Sequence, residues 1–378
     1  MTTAAYDVAV VGGGIVGAAV AAELAGERSV VLLEAEPDFG VHATGRSAAM
    51  LTQTYGSEEI QELTAASRPA FEGALAERAG AAILRSRPVL WTGKVSDVLL
   101  PELRRLAASG SAPGVEWLTP PEAERLAAAI DPETIDLACL EPDAASIEVD
   151  LLHRTFLKIA AERGATILRN ARFLGARRHE RGWKVDLQGD IVSAGLLVNA
   201  AGAWADEVAA HAGLSVRGLV PMRRTVLIAT CDPPAAPAWP FVVDLDDRFY
   251  FEAEGTQVLA SPADETPVPA GHPRVDELDV ALCIERLHER TRLRIRRVTN
   301  SWAGLRTFTS DRLPLVGPDP SEPTFLWAAG LGGFGIMTSP AIAKLIAMHA
   351  DGAPPSRLAK ALLPDRKALR PGRRQAAG

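Results

Sequence analysis

Three glycines near the start of the chain, Gly12, Gly14 and Gly17, constrain its fold more than any other feature of the sequence. They follow a short apolar run at residues 6–11 and precede a stretch of helix-forming residues. A second apolar run lies at residues 29–33, so strand, turn, helix and strand follow one another within about 30 residues, as in a βαβ unit. This pattern predicts a buried parallel sheet with helices packed against it.

The spacing of these glycines indicates what the turn binds. In a GxGxxG turn the first glycine permits the tight bend, the second lets the backbone approach a pyrophosphate, and the third lets helix and strand pack closely. The helix N-terminus then offers free N–H groups to the phosphates. Glu34 ends the second predicted strand, where a carboxylate accepts hydrogen bonds from ribose hydroxyls. The motif predicts a dinucleotide site but does not distinguish FAD from NAD, and no arginine directly follows Glu34 to suggest a 2′-phosphate.

The rest of the chain shows no internal repeat and no low-complexity linker. Buried strands are expected at the apolar runs 196–199 and 325–329, and residues 220–260 are rich in strand formers. The residue patterns predict helices at residues 48–79, 149–163, 275–289 and 338–349. At 378 residues the chain has the length of two domains, and without a linker we expect the two to be interleaved.

Composition and charge argue against several classes of protein. The formal net charge is -7, whereas general nucleic-acid binding requires a basic face that neutralises phosphates. We interpret the basic segment at residues 366–374 as a solvated chain terminus. The apolar segment at residues 8–22 has no basic region before it and carries the glycine turn, so we interpret it as strand and helix. We therefore expect a cytoplasmic protein without a transmembrane segment.

The cysteines indicate neither a metal site nor a disulfide framework. Cys139, Cys231 and Cys283 are far apart in the sequence and form no CxxC pair, the spacing that is typical of metal ligands. A sparse, odd set of cysteines is typical of a reducing compartment. We therefore expect no metal ion and no cysteine nucleophile.

Three further segments favour a flavin over a nicotinamide cofactor. Residues 330–339, GLGGFGIMTS, form a second glycine-rich turn between a predicted strand and the last predicted helix. A helix N-terminus there would stabilise the negative charge that develops near N1 of a reduced flavin. Capping of this helix by Thr338 or Ser339 is a plainer explanation, and both can hold. Residues 44–49 (TGRSAA) and 199–206 (NAAGAWAD) are loops of small residues that let a ligand approach the backbone.

In this order, the segments resemble the D-amino acid oxidase superfamily of FAD enzymes, which includes glycine and sarcosine oxidases and bacterial D-amino acid dehydrogenases. The matching segments are VVGGGIVGAAVAAELA, LLEAE, TGRSAAM, VNAAGAWAD, WAGLRTFTSDRLPLVGP and AAGLGGFGIMTSP, between residues 10 and 340. Within the superfamily, GRSAA, LTAASR, FYF, SPAD and the IRR that precedes WAGLR look most like the bacterial FAD-dependent D-arginine dehydrogenases.

The resemblance implies an α/β (α+β) fold. A Rossmann-like FAD-binding domain would be interleaved with a smaller substrate domain built on an antiparallel sheet. We expect the FAD-binding domain to comprise residues 1–85, 146–219 and 300–378, and the substrate domain to comprise residues 86–145 and 220–299.

FAD is expected to be bound non-covalently. The family's covalently tethered members use a cysteine near the C-terminal glycine motif, and this chain has no cysteine after Cys283. The backbone at Phe173 would meet the adenine, and Gly202 would approach the flavin side. By the resemblance, the residues in contact with FAD are Gly12, Gly14, Gly17, Glu34, Arg46, Ser47, Phe173, Gly202, Gly332, Gly333, Phe334, Gly335 and Ile336.

For the substrate, the resemblance implies that Arg306, Tyr250 and Tyr55 are the catalytic residues. A guanidinium holds a carboxylate through two parallel hydrogen bonds, so Arg306 would bind the substrate carboxylate and Tyr250 would assist it. Arg224, next to Arg223, is a candidate second cation of the substrate pocket, although we interpret this pair as solvated residues at a strand edge.

Two departures from the D-arginine dehydrogenases affect the substrate pocket. Met50 stands where those enzymes have an active-site histidine, and Val89 stands where they have a glutamate that can pair with the substrate guanidinium. A buried cation without a partner is costly, so a basic substrate side chain should bind poorly. Both residues suit a small or apolar side chain instead.

The expected cofactor and substrate residues together predict one reaction. We expect FAD-dependent oxidative deamination of a small or apolar D-amino acid, with hydride transfer to flavin N5 and hydrolysis of the imino acid to a 2-oxo acid and ammonia. The matched residues include no strong general base, so the amine would lose its proton to water or to a weakly basic site. Oxidation of a secondary amine such as sarcosine, or of a 2-hydroxy acid, remains an alternative. A non-catalytic flavin-binding subunit and an NAD dehydrogenase also remain, and the electron acceptor stays open.

Overall fold

The computed structural model describes residues 4–109, 114–180 and 182–365, and the basic segment at 366–374 lies outside them. The helices are α1 Ile15–Leu24, α2 Glu58–Glu72, α3 Ala74–Ala79, α4 Leu100–Ser109, α5 Pro120–Leu126, α6 Val149–Glu162, α7 Ala205–His211, α8 Glu277–Arg290, α9 Gly335–Ala350 and α10 Arg357–Ala361. The strands are β1 Ala4–Val11, β2 Val30–Leu33, β3 Met50–Leu51, β4 Leu84–Ser86, β5 Val89–Gly93, β6 Glu116–Leu118, β7 Leu137–Glu141, β8 Ala145–Ile147, β9 Thr166–Leu168, β10 Phe173–His179, β11 Gly182–Leu187, β12 Asp190–Asn199, β13 Val220–Asp232, β14 Phe241–Asp244, β15 Tyr250–Glu254, β16 Gln257–Ser261, β17 Thr266–Pro267, β18 Arg294–Phe308, β19 Leu315–Asp319 and β20 Glu322–Ala329. Within the described ranges, no helix combines the length and the apolar character needed to cross a membrane.

The first sheet has eight strands and contains the predicted βαβ unit. β1 pairs in parallel with β2 on one side and with β12 on the other, and β9 and β20 extend the parallel region. α1 packs against α6 and α9. Because protein covers both faces of this sheet, four residues of β1 are at most 5 % exposed: Val8, Ala9, Val10 and Val11. The Rossmann-like part of the predicted fold is confirmed.

The second sheet has nine strands, in the order β17-β13-β16-β15-β14-β5-β7-β6, with β18 also paired to β13. Its neighbouring strands are antiparallel except for β14 and β5, which are parallel. The prediction of a second, mainly antiparallel sheet is therefore confirmed. Its strands come from two parts of the chain, residues 89–141 and 220–308. The domain limits stay a prediction, and β18 crosses residue 300, where we expect one of them.

The structure corrects the helix expected at residues 48–79. β3 lies within this range and pairs with β8, and α2 begins only after Ser57. Between them, the hydroxyls of Thr52 and Thr54 donate to one carboxylate oxygen of Glu141, at 2.6 and 2.5 Å. β-branched residues whose hydroxyls bond outside a helix favour extended or irregular backbone, which explains the late start of α2.

Candidate active site

A cleft lies where residues of the first sheet meet residues of the second. Its lining brings together most of the predicted site residues: Gly12, Gly14, Glu34, Arg46, Ser47, Phe173, Gly202, Arg224, Tyr250, Arg306, Gly332, Gly333, Gly335 and Ile336. The predicted residues that are described but do not belong to the lining are Gly17, Met50, Tyr55, Val89 and Phe334. Residues far apart in the sequence therefore share one cleft.

The turn between β1 and α1 requires glycine at two positions. Gly12 has a φ of +106°, and a Cβ there would lie 2.5 Å from the carbonyl oxygen of Ala200. A Cβ on Gly17 would lie 1.8 Å from the carbonyl oxygen of Gly12. A larger residue at either position would push the turn or α1 away from the sheet. The two glycines thus keep the helix N-terminus at the edge of the cleft.

The N-terminus of α1 suits an anion. Gly14 precedes the helix without a side-chain cap, and the first turn holds no acidic residue. The Gly13 N–H donates to Oε2 of Glu34 at 2.9 Å, and the Ile15 N–H donates to Oγ1 of Thr44 at 3.0 Å. Other N–H groups of this turn remain available to phosphates, with the positive end of the helix dipole behind them. Glu34 receives two backbone N–H groups, and since a carboxylate accepts about four hydrogen bonds, lone pairs remain for ribose hydroxyls.

Arg46 links the loop after β2 to β18. Its Nε donates to the carbonyl of Val41 at 3.1 Å, and its Nη1 donates to the carbonyl of Ala303 at 2.8 Å. In return, the indole N–H of Trp302 donates to the Arg46 carbonyl at 3.2 Å. Nε and Nη1 of Arg46 therefore hold the loop in place. Nη2 is left for a phosphate in the cleft.

Three other predicted cofactor residues border the same part of the cleft. Ser47 is exposed at the end of a short 3-10 turn, Thr44–Arg46. Phe173 begins β10, and Gly202 lies in a second 3-10 turn after β12. In the described part of the chain, apart from the two neighbouring residues, no atom lies within 4 Å of a Cβ placed on Gly202, so a ligand has room to contact its backbone.

The second glycine turn places the N-terminus of α9 at the cleft. The Gly332 N–H donates to the carbonyl of Thr307 at 2.8 Å, which joins the turn to β18. α9 begins at Gly335 without a side-chain cap and without an acidic residue in its first turn. The expectation that Thr338 or Ser339 caps this helix is wrong, because both lie inside it and their hydroxyls donate to backbone carbonyls three or four residues earlier. The free N–H groups of α9 remain available to negative charge in the cleft.

Arg306 lies near the end of β18 with its guanidinium against the second glycine turn. A Cβ on Gly333 would lie 2.8 Å from Nη1 of Arg306, so the arginine occupies the space that a larger residue would need. The side chain is half-buried and lines the cleft. In the part of the chain that the structure describes, no carboxylate comes within 4.0 Å of its nitrogens. A guanidinium in a cleft without a protein partner suits a ligand carboxylate.

Arg224, the candidate second cation of the substrate pocket, is buried and already has an acidic partner. It is 4 % exposed, and its Nη2 lies 3.2 Å from Oε1 of Glu265, which also binds Arg312 at 2.7 Å. Burial alone would raise the pKa of Glu265, but the hydrogen bond and charge of Arg312, with the charge of Arg224, hold it below its usual value. Arg223 pairs with Asp279 at 2.7 Å. The interpretation of the two arginines as a solvated pair is therefore wrong.

Tyr250 and Tyr55 belong to one apolar cluster. Tyr250 lines the cleft, is 8 % exposed and stacks on Phe241 with ring centroids 5.3 Å apart. Burial raises the pKa of the Tyr55 hydroxyl, and the nearby charges of Asp247 and Arg306 act on it in opposite directions. A hydroxyl with a raised pKa stays protonated at neutral pH, so Tyr55 can donate a hydrogen bond.

Val89 and Met50 lie in the same apolar cluster. Val89 is 1 % exposed and pairs in register with Phe241 of β14. Met50 is half-buried, and its sulfur accepts a hydrogen bond from a serine of β8 at 3.5 Å. Phe334 is 8 % exposed and packs against Tyr55 with ring centroids 5.3 Å apart. Val89, Met50 and Phe334 therefore give the two tyrosines apolar neighbours, and neither Val89 nor Met50 adds a charge to those of Asp247 and Arg306.

Comparison with known proteins agrees with this geometry. A family model described as FAD dependent oxidoreductase matches residues 7–348. The chain belongs to the DAO family of FAD-dependent oxidoreductases. The predicted superfamily and the predicted cofactor are thereby confirmed. The glycine turn after β1, the carboxylate of Glu34 and the uncapped N-terminus of α9 fit the pyrophosphate, the ribose and the ring of FAD.

Several relatives of this DAO-family protein match nearly its whole length. Glycine oxidase from Geobacillus kaustophilus (strain HTA426) is 28% identical over 351 residues, which cover 90% of this chain and 92% of that protein. The crystal structure of glycine oxidase from Geobacillus kaustophilus has a TM-score of 0.79 at 26% identity, with 94% and 96% of the two chains covered. L-proline dehydrogenase from P. horikoshii has a TM-score of 0.80 at 21% identity over 96% and 98% of the chains. L-alpha-glycerophosphate oxidase from Mycoplasma pneumoniae, solved with FAD bound, has a TM-score of 0.82 at 15% identity over 92% and 95%. The last two share the fold, and a particular closeness to D-arginine dehydrogenases stays a prediction.

Two residues outside the glycine motif support the first glycine turn of the DAO fold. Thr44 receives the Ile15 N–H, as described above. Nε2 of His153, on α6, lies 2.9 Å from the carbonyl oxygen of Gly13. Burial lowers the pKa of His153, so the ring is neutral and can donate this hydrogen bond. Thr44 belongs to the segment TGRSAA, but His153 lies far along the chain from the turn and no local motif marks it.

Asp247 is a further residue that the sequence analysis missed. It lies in the turn between β14 and β15 with a φ of +54°. Solvent reaches the side chain, but protein surrounds it closely enough to raise its pKa, while the charges of Arg224 and Arg306 lower it. Asp247 therefore interacts electrostatically with Arg224 and Arg306, two of the arginines that line the cleft.

Proposed function

We propose that the protein is a DAO-family flavoenzyme that oxidises the C–N bond of a small or apolar D-amino acid to give a 2-oxo acid and ammonia. The observation that carries this proposal is the environment of Arg306. Its guanidinium lines the cleft beside the glycine turn before α9, and among the described residues it has no carboxylate partner. A substrate carboxylate would satisfy this guanidinium through two parallel hydrogen bonds.

The groups around Arg306 favour an amino acid as the ligand. The hydroxyl of Tyr250, which lines the cleft, is a donor for the same carboxylate. The negative charge of Asp247 interacts with Arg306 and would also favour a nearby ammonium group. Val89 and Met50 keep the neighbouring cluster apolar. Neither residue offers a negative charge to a basic substrate side chain, and a cation is costly to bury without a partner.

The chain's part in the reaction is to orient the substrate. FAD, when bound, supplies the acceptor for the hydride that leaves the α-carbon. Arg306 and Tyr250 fix the carboxylate and so restrict the direction of the α-C–H bond. The amine must be neutral before that bond breaks, and its proton passes to water or to a weakly basic group.

The relatives support an amino acid or amine as the substrate. Glycine oxidase and L-proline dehydrogenase are named for amino acids, and both share this fold. The D configuration rests on the resemblance to D-amino acid dehydrogenases. The extended match to glycine oxidase favours one second candidate, the oxidation of glycine or of a small secondary amine such as sarcosine.

Anaerobic flavin reduction tests the proposal. The purified holoenzyme is mixed with D-leucine, D-methionine, D-alanine, D-arginine, their L forms, glycine and sarcosine, and the loss of the oxidised flavin band is followed. We expect bleaching by the apolar D-amino acids but not by D-arginine. Bleaching by D-arginine would contradict the apolar pocket, and bleaching by glycine or sarcosine alone would favour the second candidate. No bleaching by any compound would contradict amino acid oxidation altogether.

A further inference from the structure

Three side chains of metal-binding types, from two distant segments, meet at the edge of the cleft. Glu36 and His42 come from the loop between β2 and β3, and His272 comes from the segment between β17 and α8. Each contributes one donor atom, and the three donors all lie within 4.8 Å of one another. Because His272 is far from the other two in the sequence, no short ligand motif marks this group.

Two imidazoles and a carboxylate form a donor set that Zn²⁺ and related divalent transition metals prefer. In a tetrahedral zinc site with bonds of about 2.0–2.2 Å, neighbouring ligand atoms are roughly 3.3–3.5 Å apart. Nε2 of His42 already lies 3.1 Å from Oε1 of Glu36. His272 is exposed, so rotation of its side chain can shorten the remaining distances. Three protein ligands leave a position for water, as in open zinc sites.

Aromatic rings surround His42, and one guanidinium lies near Glu36. The ring of His42 contacts the rings of Trp204 and His272, each with centroids 4.6 Å apart, which restricts its orientation. Glu36 and His42 are half-buried and line the cleft. The nearest guanidinium, that of Arg172, is 4.0 Å from Oε1 of Glu36 and half exposed, so it competes only weakly with an ion for this carboxylate.

We propose that Glu36, His42 and His272 bind one divalent transition-metal ion of the Zn²⁺ class. This assignment replaces the expectation, drawn from the cysteines, that the chain holds no metal. The ion links the loop that carries Thr44 and Arg46 to the segment before α8. Since that loop lines the cleft, binding of the ion and retention of FAD stabilise one another.

Equilibrium dialysis against Zn²⁺ tests the site. The holoenzyme, with FAD bound, is first freed of metal with a chelator, and no amino acid is present. We expect one Zn²⁺ per wild-type chain. In His272→Ala the affinity should fall by at least about 100-fold, because even an outer-shell partner of a metal ligand is worth roughly 10–100-fold. The matched control His179→Ala removes another exposed histidine and should bind like wild type.

Two results would overturn the proposal: no stoichiometric binding to the wild type, or equal affinity in wild type and His272→Ala. Glu36→Gln keeps the size of the side chain, and an unchanged affinity in this variant would overturn the role of Glu36. FAD release, followed by flavin fluorescence, should slow on addition of Zn²⁺ to the wild type but not to His272→Ala, and equal rates would refute the link to FAD. Because the assays contain no amino acid, they are independent of the proposed oxidation.

Discussion

Replacing Arg306 by lysine keeps a positive charge in the cleft but removes the planar fork of N–H donors. A lysine ammonium in this place makes one charge-assisted hydrogen bond where the guanidinium makes two. Loss of one such bond costs about 1.5–3 kcal/mol. At 1.4 kcal/mol for each factor of ten, substrate affinity should fall roughly 10- to 150-fold. No carboxylate of the described residues binds Arg306, so the loss should appear in substrate affinity rather than in stability.

Anaerobic stopped-flow reduction measures this effect, because its concentration dependence separates the substrate Kd from the rate of flavin reduction. The matched control is Arg223→Lys, since Arg223 lies on β13 outside the cleft lining and pairs with Asp279 at 2.7 Å. We expect its Kd to stay close to the wild-type value. An unchanged Kd in Arg306→Lys, or an equal rise in both variants, would refute the assignment of Arg306 to the substrate carboxylate.

Three other predictions follow from the geometry. Gly17→Ala should yield protein with little or no FAD, measured as flavin absorbance per chain, because its Cβ would lie 1.8 Å from the carbonyl oxygen of Gly12; a fully yellow variant would contradict this. Tyr250→Phe should raise KM about 2- to 10-fold, as expected for one lost hydrogen bond, and an unchanged KM would exclude a contact with the substrate. Burial alone would raise the pKa of Asp319, but hydrogen bonds that include one from Arg217 lower it to about 2. Its stabilisation is therefore complete above pH 4 and lost as the pH falls toward 2, so Asp319→Asn should lower the midpoint of urea unfolding at pH 7 but much less at pH 2. A difference that does not depend on pH would contradict this linkage.

Features that depend on local physics could be predicted from the sequence. Gly12 and Gly17 are needed because a Cβ would meet backbone atoms, and the spacing of the glycines reveals that need directly. Short apolar runs likewise predicted the parallel strands of the first sheet. Thr52 and Thr54 show where this approach fails, because their bonds to Glu141 of β7 interrupt a helix-like pattern.

Contacts between distant residues could not be read from the sequence in the same way. The burial of Arg224 depends on which face of β13 is covered and on its pairing with Glu265, and neither is encoded in the residues next to it. The start of α9 depends on the bond between Gly332 and Thr307, which fixes the turn before the helix, and not on the hydroxyl of Thr338. The roles of Glu265 and of the proposed metal ligands Glu36, His42 and His272 were missed for the same reason.

β18 holds several parts of the cleft through its backbone. It carries Arg306, its Thr307 carbonyl receives the N–H of Gly332, and its Ala303 carbonyl receives Nη1 of Arg46. These bonds do not depend on which side chains occupy the accepting positions. The distances from Arg306 to the Arg46 loop and to the second glycine turn therefore depend little on side-chain substitutions elsewhere in the second sheet. Proteins with this fold can therefore differ in the residues that contact the substrate side chain and still keep the same backbone arrangement of β18 and the two loops.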